Sequence, residues 1–128
     1  MTPSGKTDLI GEQGVKKSDL RIRLIGALDE ASASLSLAKA FCSAGSQILL
    51  ETCQKDLSGM MGLLAALPQT PLGNLADSFT AQLEDLESII ATLESTITYP
   101  DEFIQPGGTP ATGALDLARA VIRRAERE

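Results

Sequence analysis

The chain has 128 residues, enough for one domain with a single core, and seventeen acidic against eleven basic residues give it a net charge of −6. That balance argues against a general nucleic-acid surface, and the absence of histidine removes imidazole metal sites, Ser-His-Asp triads and imidazole proton shuttles. Aromatic residues are scarce while Leu, Ala and Ile abound, which favours packed helices over a β-sandwich.

Residues 1–18 are polar and glycine-rich and read as a loop; they carry no signal-peptide pattern. Lys6, Lys16, Lys17 and Arg21 gather here beside Gly5, Gly11, Gly14 and the hydroxyl of Thr7. Backbone amides plus cations of this kind can cradle phosphate oxygens. Gly5-Lys6-Thr7 is no Walker motif, because neither its first glycine nor a preceding strand is present.

Ser18 or Asp19 caps a first helix in which Leu24, Leu28, Ala31, Leu35 and Ala38 recur at helical spacing, ending near Ser43–Gly45. Ser46 opens a second, with Leu49, Cys53, Leu57, Met60, Leu64 and Leu67 as its stripe and Pro68 as its stop; a connector, 69–73, follows. Cys42 and Cys53 lack metal-type spacing and read as buried thiols of a reducing compartment.

A third helix runs from about Asn74 to Thr98, with Leu75, Phe79, Leu83, Leu86, Ile90, Leu93 and Ile97 on one side and a solvated acidic face on the other. Tyr99 to Pro110 is a Pro/Gly-rich loop, in which Pro106 fixes φ and Gly107 and Gly108 are free to take φ > 0. The fourth helix starts near Ala111 and buries Leu115, Ala118, Ile122 and Ala125. The fold expected is all-α: one domain, 1–128, with four long amphipathic helices in an antiparallel bundle (19–128) behind a glycine-rich loop able to cradle phosphate (1–18). No apolar stretch reaches the roughly 20 residues of a membrane span, so a cytoplasmic protein is expected.

On the fourth helix Arg119, Arg123 and Glu126 stand at i, i+4 and i+7, one face of the helix. Two guanidiniums and a carboxylate just after a glycine turn suit a triphosphate and its counter-cation. As a plain surface stripe the same residues would form only weak intrahelical pairs, and that reading stands beside the first.

Two segments resemble the PduO-type ATP:cob(I)alamin adenosyltransferases. Toward the start, Gly5, Thr7, Leu9, Gly11, Val15, Lys17, Arg21, Ile22, Gly26, Asp29 and Glu30 match the family's TGDxGxT, LxGGxRVxK and RIExYGxxDELNS patterns. Toward the end, Phe103, Pro106, Gly107, Gly108, Leu115, Ala118, Arg119, Arg123, Arg124, Ala125, Glu126 and Arg127 match its second signature. The chain departs from the pattern at Thr2 and Pro3 (for Gly and Asp), Gly14 (Arg), Arg23 (Glu), Ile25 (Tyr), Ser32 (Asn) and Asp116 (His). Family members also continue through a fifth helix beyond the position of Glu128.

The resemblance implies a trimer with active sites between subunits and transfer of the 5′-deoxyadenosyl group of ATP to cob(I)alamin, giving adenosylcobalamin and triphosphate. It implies ATP as co-substrate, magnesium as its counter-ion, cobalamin as the other substrate, and a corrinoid reductase as partner. Gly5, Thr7, Lys17 and Arg21 would hold the triphosphate from the loop and Arg119 and Arg123 from the helix. Glu126 would orient magnesium or the nucleotide, Asp29 would pair with Arg119 across the interface, and Phe103 would close over the corrin. A non-catalytic paralogue that binds corrinoid or nucleotide, and a bundle that binds neither, remain as alternatives.

Overall fold

The computed structural model describes residues 5–66 and 73–128, with the backbone alone at 73–76 and 78. The expectations for Thr2, Pro3, Leu67, Pro68, the 69–73 connector up to Gly73, and the Leu75 side chain lie outside what it describes. The elements are β1 (Lys6–Leu9), β2 (Glu12–Lys16), α1 (Leu20–Lys39), α2 (Ala44–Ala66), α3 (Gly73–Thr96) and α4 (Pro110–Glu126). They fall into two compact units. The first comprises the described parts of Met1–Gln69 with Pro106–Glu128, and the second those of Thr70–Gln105.

The N-terminal segment corrects the loop expected from sequence: β1 and β2 pair as an antiparallel hairpin with Lys6 opposite Lys16, Thr7 opposite Val15 and Leu9 opposite Glu12. One residue lies between Thr7 and Leu9 while two lie between Glu12 and Val15, so β2 carries a bulge. Gly14 takes φ +71° there, a conformation that suits glycine, and its N–H donates to Asp8 Oδ1 at 2.8 Å. Val15 is buried beneath the hairpin, and the turn amide of Ile10 donates to the Ala65 carbonyl at 3.1 Å. That bond gives a donor to one of the carbonyls at the end of α2.

In the same unit α1 packs against both α2 and α4. Lys39 pairs with Glu51, and Gln54 Nε2 donates to Ser32 O and Ser36 Oγ, so α2 runs back along α1. Arg23 pairs with Glu128 and Arg124 with Glu30, while Leu35 and Ala38 cluster with Ala118 and Ala114; α4 is therefore also antiparallel to α1. The core cluster is Leu35, Ala38, Leu50 and Ala118, flanked by Cys42, Cys53, Leu57 and Ala114. Both thiols are unpaired and half-buried, and desolvation, then the nearby Asp56 carboxylate, pushes the Cys53 thiol up.

The α1 stripe is as expected: Leu28, Ala31, Leu35 and Ala38 are buried. The α4 stripe is as expected at Ala118 and Ala125 and differs at Leu115 and Ile122. Ala118 and Ala125 are buried and Ala114 and Val121 half-buried, whereas Leu115 and Ile122, expected inside, are 37% and 36% exposed. Small side chains let α4 approach α1 closely, and the larger ones move to the rim. Leu50, outside the expected stripe, supplies the buried apolar contact of α2.

Pro110 opens α4 at its first turn, where its missing N–H is no loss. Thr109 caps it through a reciprocal box with Thr112, and Gly107 takes φ +86° in the turn before it, as the Pro-Gly-Gly sequence suggests. The second unit contains α3, along which Leu83, Ile90, Leu93 and Ile97 are about half exposed. No described helix is long and apolar enough to cross a membrane.

Candidate functional site

The hairpin gathers the loop residues singled out by sequence. The Lys17 amide donates to the Gly5 carbonyl at 2.9 Å, closing the open end of the hairpin and setting Lys17 beside Gly5. Thr7, directly across from Val15, shares its half-buried face; Lys6 and Lys16, also directly opposed, share the other. Lysines opposed in this way put two like charges on one face of the hairpin. Gly5, Thr7 and Lys17 are thus brought together by strand pairing.

Arg21, in the first turn of α1, is held differently. Its Nη1 donates to Glu12 Oε2 at 2.8 Å, and its Nε and Nη2 donate to Asp19 Oδ1 and Oδ2, each at 3.2 Å. Asp19 Oδ1 also accepts the Arg21 amide at 2.8 Å and so caps α1. These bonds hold the guanidinium even more firmly protonated than usual, Glu12 contributing most. They hold the Asp19 carboxyl below its ordinary value of 3.8, the Arg21 side-chain hydrogen bond contributing most. Asp19 takes the helix cap expected of Ser18 or Asp19. Glu12 was not singled out from sequence, and its role depends on a hairpin where a loop was expected.

A pH dependence follows from Asp19. Its folded pKa is depressed, so its contribution is fully present above pH 3.8 and is lost as pH falls through the lower folded value. In Asp19→Asn, which can still cap the helix, the thermal midpoint is expected to fall less between about pH 4 and pH 2 than in the parent. Equal acid limbs in the two proteins would remove this role.

The α4 residues form the exposed stripe expected. Arg123 Nη1 pairs with Glu126 Oε2 at 2.9 Å, and Arg119 holds Asp116 Oδ1 through Nε at 3.0 Å and Nη2 at 2.9 Å. All four are one helical turn apart, and their spacing already makes such pairs available. At about 100° per residue, Leu115 and Ile122 fall between the buried stripe and the arginine stripe. The cations are therefore flanked by an exposed apolar rim. Asp29 is exposed on α1, next to the Glu30 that pairs with Arg124. Its expected bond to Arg119 joins two chains; within this one, Arg119 pairs with Asp116.

Phe103 belongs to the second unit and is 87% exposed, flanked by Tyr99 and Ile104, also exposed. A ring left in water at this level is available to cover a ligand.

The chain matches the Cobalamin adenosyltransferase family over residues 2–128. It is 33% identical over 125 residues to the corrinoid adenosyltransferase PduO of Salmonella typhimurium, an alignment covering 97% of this chain and 37% of that protein. Against the corrinoid adenosyltransferase of Mycobacterium bovis it is 30% identical over 129 residues, covering 96% of this chain and 65% of the relative. Among solved structures it is similar to a phenylalanine-to-histidine variant of the PduO-type ATP:corrinoid adenosyltransferase from Lactobacillus reuteri, complexed with cobalamin and ATP. There the TM-score is 0.76 at 32% identity, covering 96% of this chain and 68% of that one.

Proposed function

Given that the chain belongs to the cobalamin adenosyltransferase family, of the PduO type, we propose that it transfers the 5′-deoxyadenosyl group of ATP to cob(I)alamin. The observation that carries this reading is the family match over residues 2–128, supported by Lys17 held beside Gly5 at the base of the hairpin and by Arg119 and Arg123 on one exposed face of α4. Both pairs of residues match the family signatures. The structure of the Lactobacillus reuteri relative, complexed with cobalamin and ATP, supports the choice of both substrates.

In this reading the protein works as a homotrimer. The hairpin of one copy and α4 of the next face each other, and the apolar rim of Leu115 and Ile122 supplies contact surface beside the arginines. Gly5, Thr7 and Lys17 hold the triphosphate from one side, and Arg119 and Arg123 from the other. Asp29 of one copy turns Arg119 toward the phosphates. Magnesium accompanies the polyphosphate, and the Glu126 carboxylate is an oxygen donor suited to it. The protein is placed in the cytoplasm, with a reductase supplying reduced corrinoid.

The reaction forms a cobalt–carbon bond as the bond from C5′ to the triphosphate oxygen breaks, and the triphosphate leaves with the electron pair. Cobalt(I) is itself the nucleophile, so no general base is required and the lack of histidine is no obstacle. What the chain supplies is alignment and charge: guanidiniums and ammonium groups placed where the leaving triphosphate gathers negative charge. Phe103 covers the corrin and excludes water and axial nitrogen ligands.

Mixing the protein with chemically reduced cobalamin, ATP and magnesium and following the corrinoid absorbance tests the activity. The adenosylcobalamin spectrum should appear only when all are present, and an unchanged spectrum would reject the enzymatic reading. Phe103→Ala should slow the reaction at least about tenfold, ~1.4 kcal/mol in barrier, while ATP binds as before. Loss of ATP binding in that variant would place Phe103 at the nucleotide instead.

A second reading is favoured by one observation. Asp116, where the family carries histidine, already occupies both facing donors of Arg119. A non-catalytic relative that binds corrinoid or nucleotide would tolerate this, and it would bind ATP in a titration yet give no adenosylcobalamin.

A further inference from the structure

We infer that Arg21 is a positioning residue rather than a phosphate ligand: by gripping Glu12 of β2 and Asp19 at the head of α1, it fixes the hairpin in the orientation that receives polyphosphate. The inference rests on the nucleotide-binding reading above and deepens it.

The geometry separates Arg21 from the other loop cations. Its guanidinium donates from three nitrogens to carboxylates on two different elements, with its side chain only 22% exposed. Charge-assisted contacts of this multiplicity fix direction as well as distance. The same Asp19 that receives two of them also caps α1 and donates its own amide to the Lys16 carbonyl at 2.9 Å. Asp19 therefore joins the end of β2, the start of α1 and the Arg21 side chain at one point.

Lys17 lies inside this closed circuit. It is the residue after β2 and two before Asp19, and its amide is bonded to Gly5. Glu12, at the far end of β2, is drawn toward α1 by Arg21, and Val15 between them is buried. Without the grip, β2 would keep Val15 as its anchor but lose its angle to α1. Gly5, Thr7 and Lys17 would then reach the phosphates only in a fraction of molecules, weakening apparent affinity by that fraction.

Two roles for Arg21 predict opposite effects of changing Glu12. If Arg21 were a phosphate ligand, Glu12→Gln would remove a competing carboxylate, and ATP would bind as well as before or better. If Arg21 acts through Glu12, Glu12→Gln weakens binding although no positive charge is lost.

The experiment is titration of ATP with magnesium into the full chain carrying Glu12→Gln, Arg21→Met, Arg21→Lys or the Glu12→Gln/Arg21→Met pair. Amide hydrogen exchange at Thr7 and Val15 is read in parallel. Each neutralised single variant is expected to bind about fivefold more weakly, with the pair no weaker than the worse single. Arg21→Lys, one point charge in place of a fork, should recover only part of the loss. Exchange at Thr7 and Val15 should quicken, while circular dichroism shows the helices intact. Unchanged or tighter ATP binding in Glu12→Gln beside weaker binding in Arg21→Met would overturn the inference, as would unaltered exchange in both. If the parent itself binds no ATP, the nucleotide reading fails and takes the nucleotide part of this inference with it. The exchange rates would still decide whether Arg21 holds the hairpin.

Discussion

Arg123→Ala is expected to lower adenosyl transfer on the order of 10²–10³-fold, the size of effect seen when one preorganised donor to a developing oxyanion is removed. Its pairing with Glu126 is exposed on both sides and lies within one helical turn. Such a pair contributes only about 0.2–0.5 kcal/mol to the helix, so the variant should fold as the parent does. The measurement is the initial rate with reduced cobalamin, alongside the thermal midpoint. A rate near the parent's in a well-folded variant would remove Arg123 from the chemistry. Arg123→Lys should fall between the two, because an ammonium keeps the charge but not the planar fork.

The largest effect on stability is expected from Ala118→Leu. Ala118 is 1% exposed and sits against Leu35, Ala38 and Leu50 where α4 meets α1. Three added carbons cannot be housed without moving one helix or forcing rotamers, which costs about 1–3 kcal/mol or more. Urea unfolding should show a lower midpoint, whereas Ile122→Leu, a volume-conserving change on the rim, should be close to neutral. If Ala118→Leu proved as stable as the parent, α1 and α4 would not approach as closely as described. The α4 arginines would then stand on a less fixed support.

These two expectations show where the chain's physics was readable in advance. The α1 stripe could be seen because Leu28, Ala31, Leu35 and Ala38 recur at helical spacing and both neighbouring helices pack on it. The Arg119–Arg123–Glu126 stripe could be seen for the same reason of periodicity. On α4 the expected Ala118 and Ala125 are buried, but the larger Leu115 and Ile122 expected beside them lie at the edge, and Ala114 joins the packed face. Sequence ranks residues by hydrophobicity, while the distance between two helices depends on the partner as well.

The hairpin was hidden for another reason. β1 is four residues long and β2 five, mostly polar, and a glycine bulge interrupts their alternation. Their pairing is settled by long-range features: Val15 buried below, Ile10 on the end of α2, and Arg21 on Glu12. None of these has a local signature. Consequently Gly5, Thr7 and Lys17 could be named from motif resemblance and Asp19 as a helix cap, but Glu12 and the Asp19–Arg21 side-chain bonds could not. Asp116 was noted only as a departure. Its hold on Arg119 was available from the i, i+3 spacing and went unused.

The account depends on a grip on polyphosphate, and the most direct test is calorimetric titration with inorganic triphosphate, compared with ATP and AMP. Triphosphate and ATP should both bind, AMP should not bind measurably, and Lys17→Met and Arg123→Ala should each weaken the first two. Equal binding of AMP and ATP, or triphosphate affinity indifferent to both substitutions, would contradict it.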